Sequence, residues 1–385
     1  MLRLHILRLA VVITFVFSFN LDLAIGQSVL SHATGTIEDD SSHQLHWLFL
    51  PMVTRNSATI VGQISFLSES PSSSLGNSLY LINANGSNLY QIIDTVCSIH
   101  EYHWSSGGER ILLTTNVGSC MDETTSEIFV VNADGTNLVR LTDNSLEEGQ
   151  TKFSPDGNYI SFIAWDRIRS ISDLYVMKSD GSERINLTDN AEHDSSTSWS
   201  PDGMRIAFAS FINNSWDIFL LNPDGTDLVQ LTTESSQDFS PIWSPDGSHI
   251  EYQSVIGANE DWEVFTMNSD GTNKTNLPNN PGSDTVGQWS PDGMQIVFQT
   301  ERDGTREIYI MNSDGSQPRN LTQHTAFDLD YSLSPDGKYV VFASQRCTLG
   351  TCIYIVDVDG LSLTPLPFDH QSKQPAWRPN GGGKR

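Results

Sequence analysis

Basic residues are scarce in this chain: 21 Lys and Arg stand against 47 Asp and Glu, a formal charge of −26 over 385 residues. Binding phosphates needs basic stripes, so nucleic acid is excluded as a partner. Catalytic signatures are missing as well. There is no G-x-S-x-G elbow, no H-E-x-x-H, no C-x-x-C pair and no Gly-rich phosphate loop. The residues before Ile60 leave no room for a catalytic domain, and the NGGGKR tail (380–385) reads as a frayed end. Long apolar runs are absent except one, Leu9 to Phe19. It is short for a membrane span of about 20 residues. Arg3 and Arg8 precede it, and Ala24 and Gly26 stand at −3 and −1 of a cleavage before Gln27. Residues 1–26 therefore read as a secretory signal peptide, with an uncleaved anchor as the competing reading. No Cys marks the cleavage point, so a lipid anchor is not expected. The expectation is a secreted protein, extracellular or periplasmic, monomeric and without a stable transmembrane span.

Cysteine is scarce too, and the four present suit an oxidising compartment. Cys347 and Cys352 flank TLGT, where a bridge across a hairpin is feasible. Cys97 and Cys120 lie 23 residues apart in connections that open on one face, so topology lets them pair. Four reduced, buried thiols would be the bland alternative.

What the chain has in abundance is itself. SPDG occurs at Ser154, Ser200, Ser244, Ser290 and Ser334, in steps of 46, 44, 46 and 44 residues. WSSGG at Trp104 and WRPNG at Trp377 are worn copies. A second turn, N-x-D-G or a variant, ends in phase at Gly86, Gly135, Gly181, Gly225, Gly271, Gly315 and Gly360. Between Ser240 and Leu277, SPIW reads as a first strand, HIEYQS as a second, EVFTMN as a third and TNKTNL as a fourth. Pro sets φ in the SPDG turn, Asp caps it and Gly takes the left-handed position. Four short antiparallel strands per period of about 45 residues mark a β-propeller blade. The third strands are apolar on both faces, as blades packed between neighbours require. A β-solenoid fits less well, because it would favour shorter periods and parallel ladders.

The first unit (ISFLS, SLYLIN, LYQII) lacks a first strand, and QPAWRPNG is a first strand with nothing after it. Joining them completes one blade and removes two open sheet edges. The reading is all-β: a seven-bladed β-propeller of four-stranded antiparallel blades over residues 60–379, closed by pairing of the terminal segments, with six or eight blades as the alternative. Residues 27–59 read as a linker with one sticky segment, WLFLPMV.

The pattern W-S-P-D-G-x-x-I-x-F, then [DE]-I-[YF]-x-M-N-x-D-G, then x-L-T resembles the TolB-type propeller repeat, a WD-like family. WSPDGMRIAF, DIFLLNPDG and LVQLT carry it here, and it covers about 320 residues. The resemblance implies the propeller fold. TolB itself adds an N-terminal α/β domain and works in the bacterial envelope through protein contacts; residues 27–59 are too short for that domain. Similar repeats occur in propellers of serine peptidases and polysaccharide lyases.

Three groups of residues are candidates for function. Five acids stand five residues before each first-strand Trp or its substitute: Glu148, Asp194, Asp238, Asp284 and Asp328, with Ile99 and Ser372 breaking the series. Equivalent offsets place them on an arc around one channel mouth. There they would cap loops, hold a weakly bound Ca²⁺ or Mg²⁺, or attract basic partners. No other cofactor is expected. Five histidines, His100, His103, His193, His324 and His370, fall in the connections between blades; lyases of similar architecture use such histidines with a metal. Trp104, Trp199, Trp243, Trp289 and Trp377 are core filler, whereas Trp165, Trp216 and Trp262 lie beside loops as potential anchors. Asn85, Asn186, Asn213, Asn273 and Asn320 open N-x-[ST] triplets that read as repeat grammar rather than glycosylation. The expected function is a non-enzymatic scaffold that binds a protein or a cell-wall or matrix component through its loop-rich face. The alternative is a metal-assisted hydrolase or lyase acting on a polysaccharide or peptide.

Overall fold

The computed structural model describes residues 60–380 apart from 70–75, 95–96, 118–125, 191, 234–235, 257–260, 278–281, 349 and 368–370. The expected signal peptide, linker and final tail residues 381–385 lie outside the described residues. Seven four-stranded antiparallel sheets form the seven blades, each in the order first, second, third, fourth strand. In blade 4 these are His193–Trp199, Ile206–Ile212, Ser215–Leu221 and Val229–Gln230.

The repeat grammar explains the blade. Each SPDG serine is buried and donates from Oγ to the turn aspartate, as Ser154 does to Asp156 at 2.6 Å. The same Oγ accepts the Tyr159 N–H at 2.9 Å, while Asp156 accepts that of Asn158 at 3.0 Å. These bonds hold Asp156, Asp202 and Asp292 below the usual carboxylate range and take Asp246 down to about 2. Gly157, Gly203, Gly247, Gly293 and Gly337 all sit at φ between 71° and 72°, a conformation that glycine tolerates without a Cβ clash.

Both faces of each sheet are covered, and the apolar clusters bridge neighbouring blades. Ile163, Leu174 and Val176 of blade 3 pack with Trp199, Ile206, Phe208 and Phe219 of blade 4. Second- and third-strand aromatics pair across the sheet, with centroids 5.8 Å apart for Phe208 and Phe219, Phe298 and Tyr309, and Phe342 and Tyr354.

Two strands differ from expectation. The fourth shrinks to two residues in five blades, such as Thr275–Asn276. A left-handed residue such as Asn273 (φ 54°) turns the chain just before it, and Leu277 N–H then returns to the Val264 carbonyl at 2.9 Å. A short outer strand leaves little edge for foreign pairing. The first strand is longer than SPIW suggests, running Gln237–Trp243 in blade 5. It gains length by a β-bulge, and all seven first strands carry one. Gln150, Ser196, Ser240, Asp330 and Gln374 occupy these bulges at positive φ.

Ser372–Trp377 pairs antiparallel with Gln63–Glu69 and so closes the ring, with Ile64 opposite Trp377 and Ser68 opposite Ser372. Arg378 continues the seam, donating from Nη1 to Gln63 Oε1 at 2.7 Å and from Nε to the Gly108 carbonyl of blade 2 at 2.8 Å. Cys347 and Cys352 form the expected disulfide, with Cα atoms 6.2 Å apart. Cys97 is buried and disulfide-bonded; its expected partner Cys120 lies outside the described residues. Deleting residues 371–385 removes the innermost strand of blade 1 and uncovers Trp377's neighbours Ile64 and Phe66. The melting temperature of that truncation falls by about 10 °C or more in a thermal scan. A melt within a degree of the full chain would exclude closure.

Candidate binding groove across blades 2 to 4

The first-strand acids are not an exposed collar. Glu148, Asp194, Asp238, Asp284 and Asp328 each sit second or first in their strand, and none is more than 2% exposed. Their side chains turn sideways into the junction between blades, because the start of each first strand is covered by the blade before it. There, at four of the five junctions, they meet a second acid that the arc expectation did not include. Glu127, Asp173, Asp217, Glu263 and Glu307 lie near the start of the third strand of the preceding blade and are buried too. They are the [DE] of the [DE]-I-[YF] pattern, so the signal was present, but only the ring brings the two series together. Mutual repulsion is felt between Glu148 and Glu127, Asp194 and Asp173, Glu263 and Asp284, and Glu307 and Asp328.

Loop capping is performed by the third-strand member. Glu127 accepts the Asn144 N–H at 3.2 Å and Glu307 that of His324 at 3.0 Å. The threonine of each x-L-T links strands and acids. Thr232 Oγ1 accepts the Ile218 N–H at 2.9 Å and donates to Asp217 at 3.1 Å. Thr322 does the same for Ile308 and Glu307. Arginines supply counter-charge at some junctions: Arg140 to Glu127 at 3.0 Å, Arg302 to Asp284 at 3.3 Å and Arg346 to Asp328 at 2.6 Å.

Glu251 is a further buried acid, alone in its series. It takes a second-strand place that Ser161 and Ala207 fill in blades 3 and 4. The Gly287 N–H donates to its Oε1 at 2.6 Å, while Oε2 is buried without a bond.

The histidines divide. His100, His103 and His193 belong to first strands rather than to connections, because those strands extend further than their sequence core. His103 Nε2 lies 3.6 Å from Glu101, and its ring is also met by Lys152 Nζ at 3.2 Å. Burial and the Lys152 charge lower its pKa against the pull of Glu101. His324 sits in the turn after blade 6, where its Nδ1 accepts the Ala326 N–H at 3.0 Å. His370 lies outside the described residues. Among the described residues no three His, Cys, Asp or Glu side chains stand close enough to hold a metal ion.

Several candidates do converge. A groove of about 760 Å³ opens where the first strands of blades 2, 3 and 4 begin, lined by His100, Glu148, Trp165, His193, Asp194 and Trp216. Glu101, Glu147 and Gln150 were not anticipated there. Gln150 reaches from its bulge to blade 4, donating to Ser195 Oγ at 3.2 Å and accepting the Ser196 N–H. Trp165 is 43% exposed, and the Arg167 guanidinium lies over its ring at 5.3 Å while bonding Glu147 at 2.8 Å. Trp216 begins a run of half-buried rings that passes through Phe239 to Trp262, with centroids 5.1 and 5.5 Å apart. Asp238, Asp284, Asp328, His103 and Trp262 lie outside the groove lining. Among the core tryptophans, Trp199, Trp289 and Trp377 are buried as expected and Trp104 and Trp243 nearly so.

The repeat and this ring decide the family. The TolB beta propeller domain matches residues 103–283 and 170–383. The chain belongs to that family. No curated protein sequence matches it. Among solved structures it is similar to TolB from Acinetobacter baumannii, at 17% identity and TM-score 0.55, over 78% of this chain and 79% of that one. It is similar to the oligogalacturonate lyase from Vibrio parahaemolyticus at 14% identity and TM-score 0.63, over 77% and 86%. Dipeptidyl peptidase 4 from Porphyromonas gingivalis is matched at 14% identity and TM-score 0.52, over 76% of this chain and half of that one. Identities this low establish the shared fold. The TolB, lyase and peptidase among these neighbours leave the activity of this TolB-type propeller open. No described helix is long and apolar enough to cross a membrane.

The buried acids make stability depend on pH. Burial pushes Glu148, Glu251 and Glu263 up to about 7 and Asp194 to about 6. Such groups bind protons more tightly folded than unfolded. The stability they contribute is full below about pH 4 and is lost as pH rises toward about 7. The turn aspartates have lowered pKa values and act only in stronger acid. Calorimetric melting at about pH 5 is therefore several degrees higher than at about pH 8, and Glu148→Gln and Glu263→Gln each flatten the difference. A melting temperature that climbs from pH 5 to 8 would contradict this assignment.

Proposed function

We propose that this TolB-type propeller is an exported, non-catalytic scaffold that holds a protein or cell-envelope partner in the groove across blades 2 to 4. The observation that carries the reading is the groove's make-up: two partly exposed tryptophans and a set of carboxylates, fixed on strand ends rather than on long loops. Rigid aromatic anchors ringed by charge are what interfaces use for affinity and for rejecting wrong partners. The leader-like N-terminus and the disulfides support an extracytoplasmic location.

A second reading, metal-assisted cleavage of a sugar or acidic polymer, draws on His100 and His193 sharing this groove with Glu101 and Asp194. A single comparison separates the two. Envelope or culture-medium proteins are captured on the wild-type chain, on Trp165→Ala/Trp216→Ala, and on Met204→Glu/Met294→Glu, whose exposed methionines lie in SPDG turns at the opposite strand ends. The groove variant loses about tenfold or more of the captured partner while the turn variant keeps it. Equal capture by all three removes the groove reading. Chelator-sensitive depolymerisation of pectate lost in His100→Ala/His193→Ala would establish the enzyme instead.

A further inference from the structure

The five blade junctions form an internal series in which one place varies. In blades 6 and 7 the residue two past the second-strand hydroxyl is an arginine: Arg302 after Thr300, Arg346 after Ser344. Each is nearly buried and bonds the first-strand acid, Arg302 to Asp284 and Arg346 to Asp328. Each guanidinium also lies over the paired aromatics, 5.2 and 4.8 Å from Phe298 and Tyr309, and 5.4 and 5.2 Å from Phe342 and Tyr354. A planar cation fits a carboxylate beside ring faces in both hydrogen bonding and stacking.

Blades 4 and 5 have the same acid and paired rings but an isoleucine at this place, Ile212 and Ile256. In blade 5 Ser254 donates to Asp238 at 2.6 Å, whereas in blade 4 Asp194 stands beside Phe208 and Phe219. Ile212 packs against the rings and brings no charge. Asp194 is 1% exposed, and neither of its oxygens has a bond of good geometry. The Ser210 and Thr188 hydroxyls and the Leu174 N–H interact with it weakly and offset only part of the burial effect, which Asp173 reinforces. The nearby Arg169 reaches Asp173 at 3.7 Å. Unlike Asp284 and Asp328, Asp194 lines the open groove, where Trp165 and Trp216 present ring faces and Glu101 and Glu147 add negative charge.

We infer that the blade 4 junction, which lacks an arginine of its own, receives an arginine side chain from a partner polypeptide, its guanidinium bonding Asp194 and stacking within the groove. This deepens the binding reading by naming the group that the groove selects. Arg167, over Trp165 and paired with Glu147, shows the same chemistry at the groove's rim.

The test uses the full-length protein at about pH 7.5, where Asp194 is ionised. The probes are acetyl-Gly-Arg-Gly-amide and its citrulline and lysine counterparts, followed by calorimetry and tryptophan fluorescence. The arginine peptide binds saturably, with Kd in the millimolar range, and the citrulline peptide and Asp194→Asn each weaken binding about tenfold or more. Lysine, lacking the planar fork, binds less well than arginine. Free arginine binds less well than the peptide, because its own carboxylate meets Glu101 and Glu147. Ile212→Arg, which copies blades 6 and 7, melts above the wild type and no longer takes the peptide. Several results would overturn the inference: no saturable binding, equal binding to Asp194→Asn, equal binding of citrulline, or free arginine matching the peptide. So would Ile212→Arg gaining stability in a protein that never binds the peptide, since the groove would then not admit the group. A partner captured through Trp165 and Trp216 but indifferent to Asp194→Asn would leave the scaffold reading standing and remove the arginine.

Discussion

Each blade of this ring buries both faces of its sheet against a neighbour, and that arrangement holds only if the circle is closed. Were Ser372–Trp377 not paired with Gln63–Glu69, blade 1 would lack its innermost strand. Blade 7 would lose the cover that Ile64, Phe66 and Trp377 give to Val341, Ala343 and Ile353. The seam is correspondingly well bonded, with Arg378 and Trp104 tying blade 1 to blade 2 and Ser332 meeting Trp377 from blade 7. Hydrophobic burial stabilises every junction, but the closing strand makes all of them possible at once.

Closure also forces polar groups into places where water does not reach. Two series of five carboxylates are buried along the ring, pairs of them facing each other at four junctions, and burial disfavours their charged form. The ring offsets this in several ways: threonine hydroxyls, backbone N–H groups, partial protonation and, at some junctions, arginine. Because the offsets differ while the acids repeat, each junction serves as a control for the others. Glu251 shows the same economy at a single site, where the Gly287 N–H of the next blade supplies its one hydrogen bond.

Resemblance among propellers of this class resides in the turns and the sheet core, which is why proteins named as TolB, lyase and peptidase match the chain at similar, low identity. What distinguishes this chain lies at the strand ends. The first-strand bulges place Gln150 and Ser196 at the rim between blades 3 and 4. The half-buried rings of Trp216, Phe239 and Trp262 run from the groove along blades 4 and 5. Apart from the recurring acids, strand ends carry little of the repeat's packing, so they are free to carry specificity.

By itself the sequence determined the blade count, the strand order, the closing strand and the left-handed glycines, because periodic turns and alternating apolar residues are local signals. It marked the first-strand acids, the groove's tryptophans and the Cys347–Cys352 bridge as residues of interest, and left the third-strand acids as part of the repeat pattern. Only the tertiary structure decided what they meet. Offsets along one chain show that Asp194 and Asp173 recur in phase. That they face each other depends on two blades being packed side by side, a contact between elements that no local pattern encodes. The bulges escaped notice for a similar reason: a one-residue excess is visible only against the partner strand. His100 and His193 are distant in sequence and reach the same groove because neighbouring first strands begin at the same end of the ring, whereas His324 is carried to another junction.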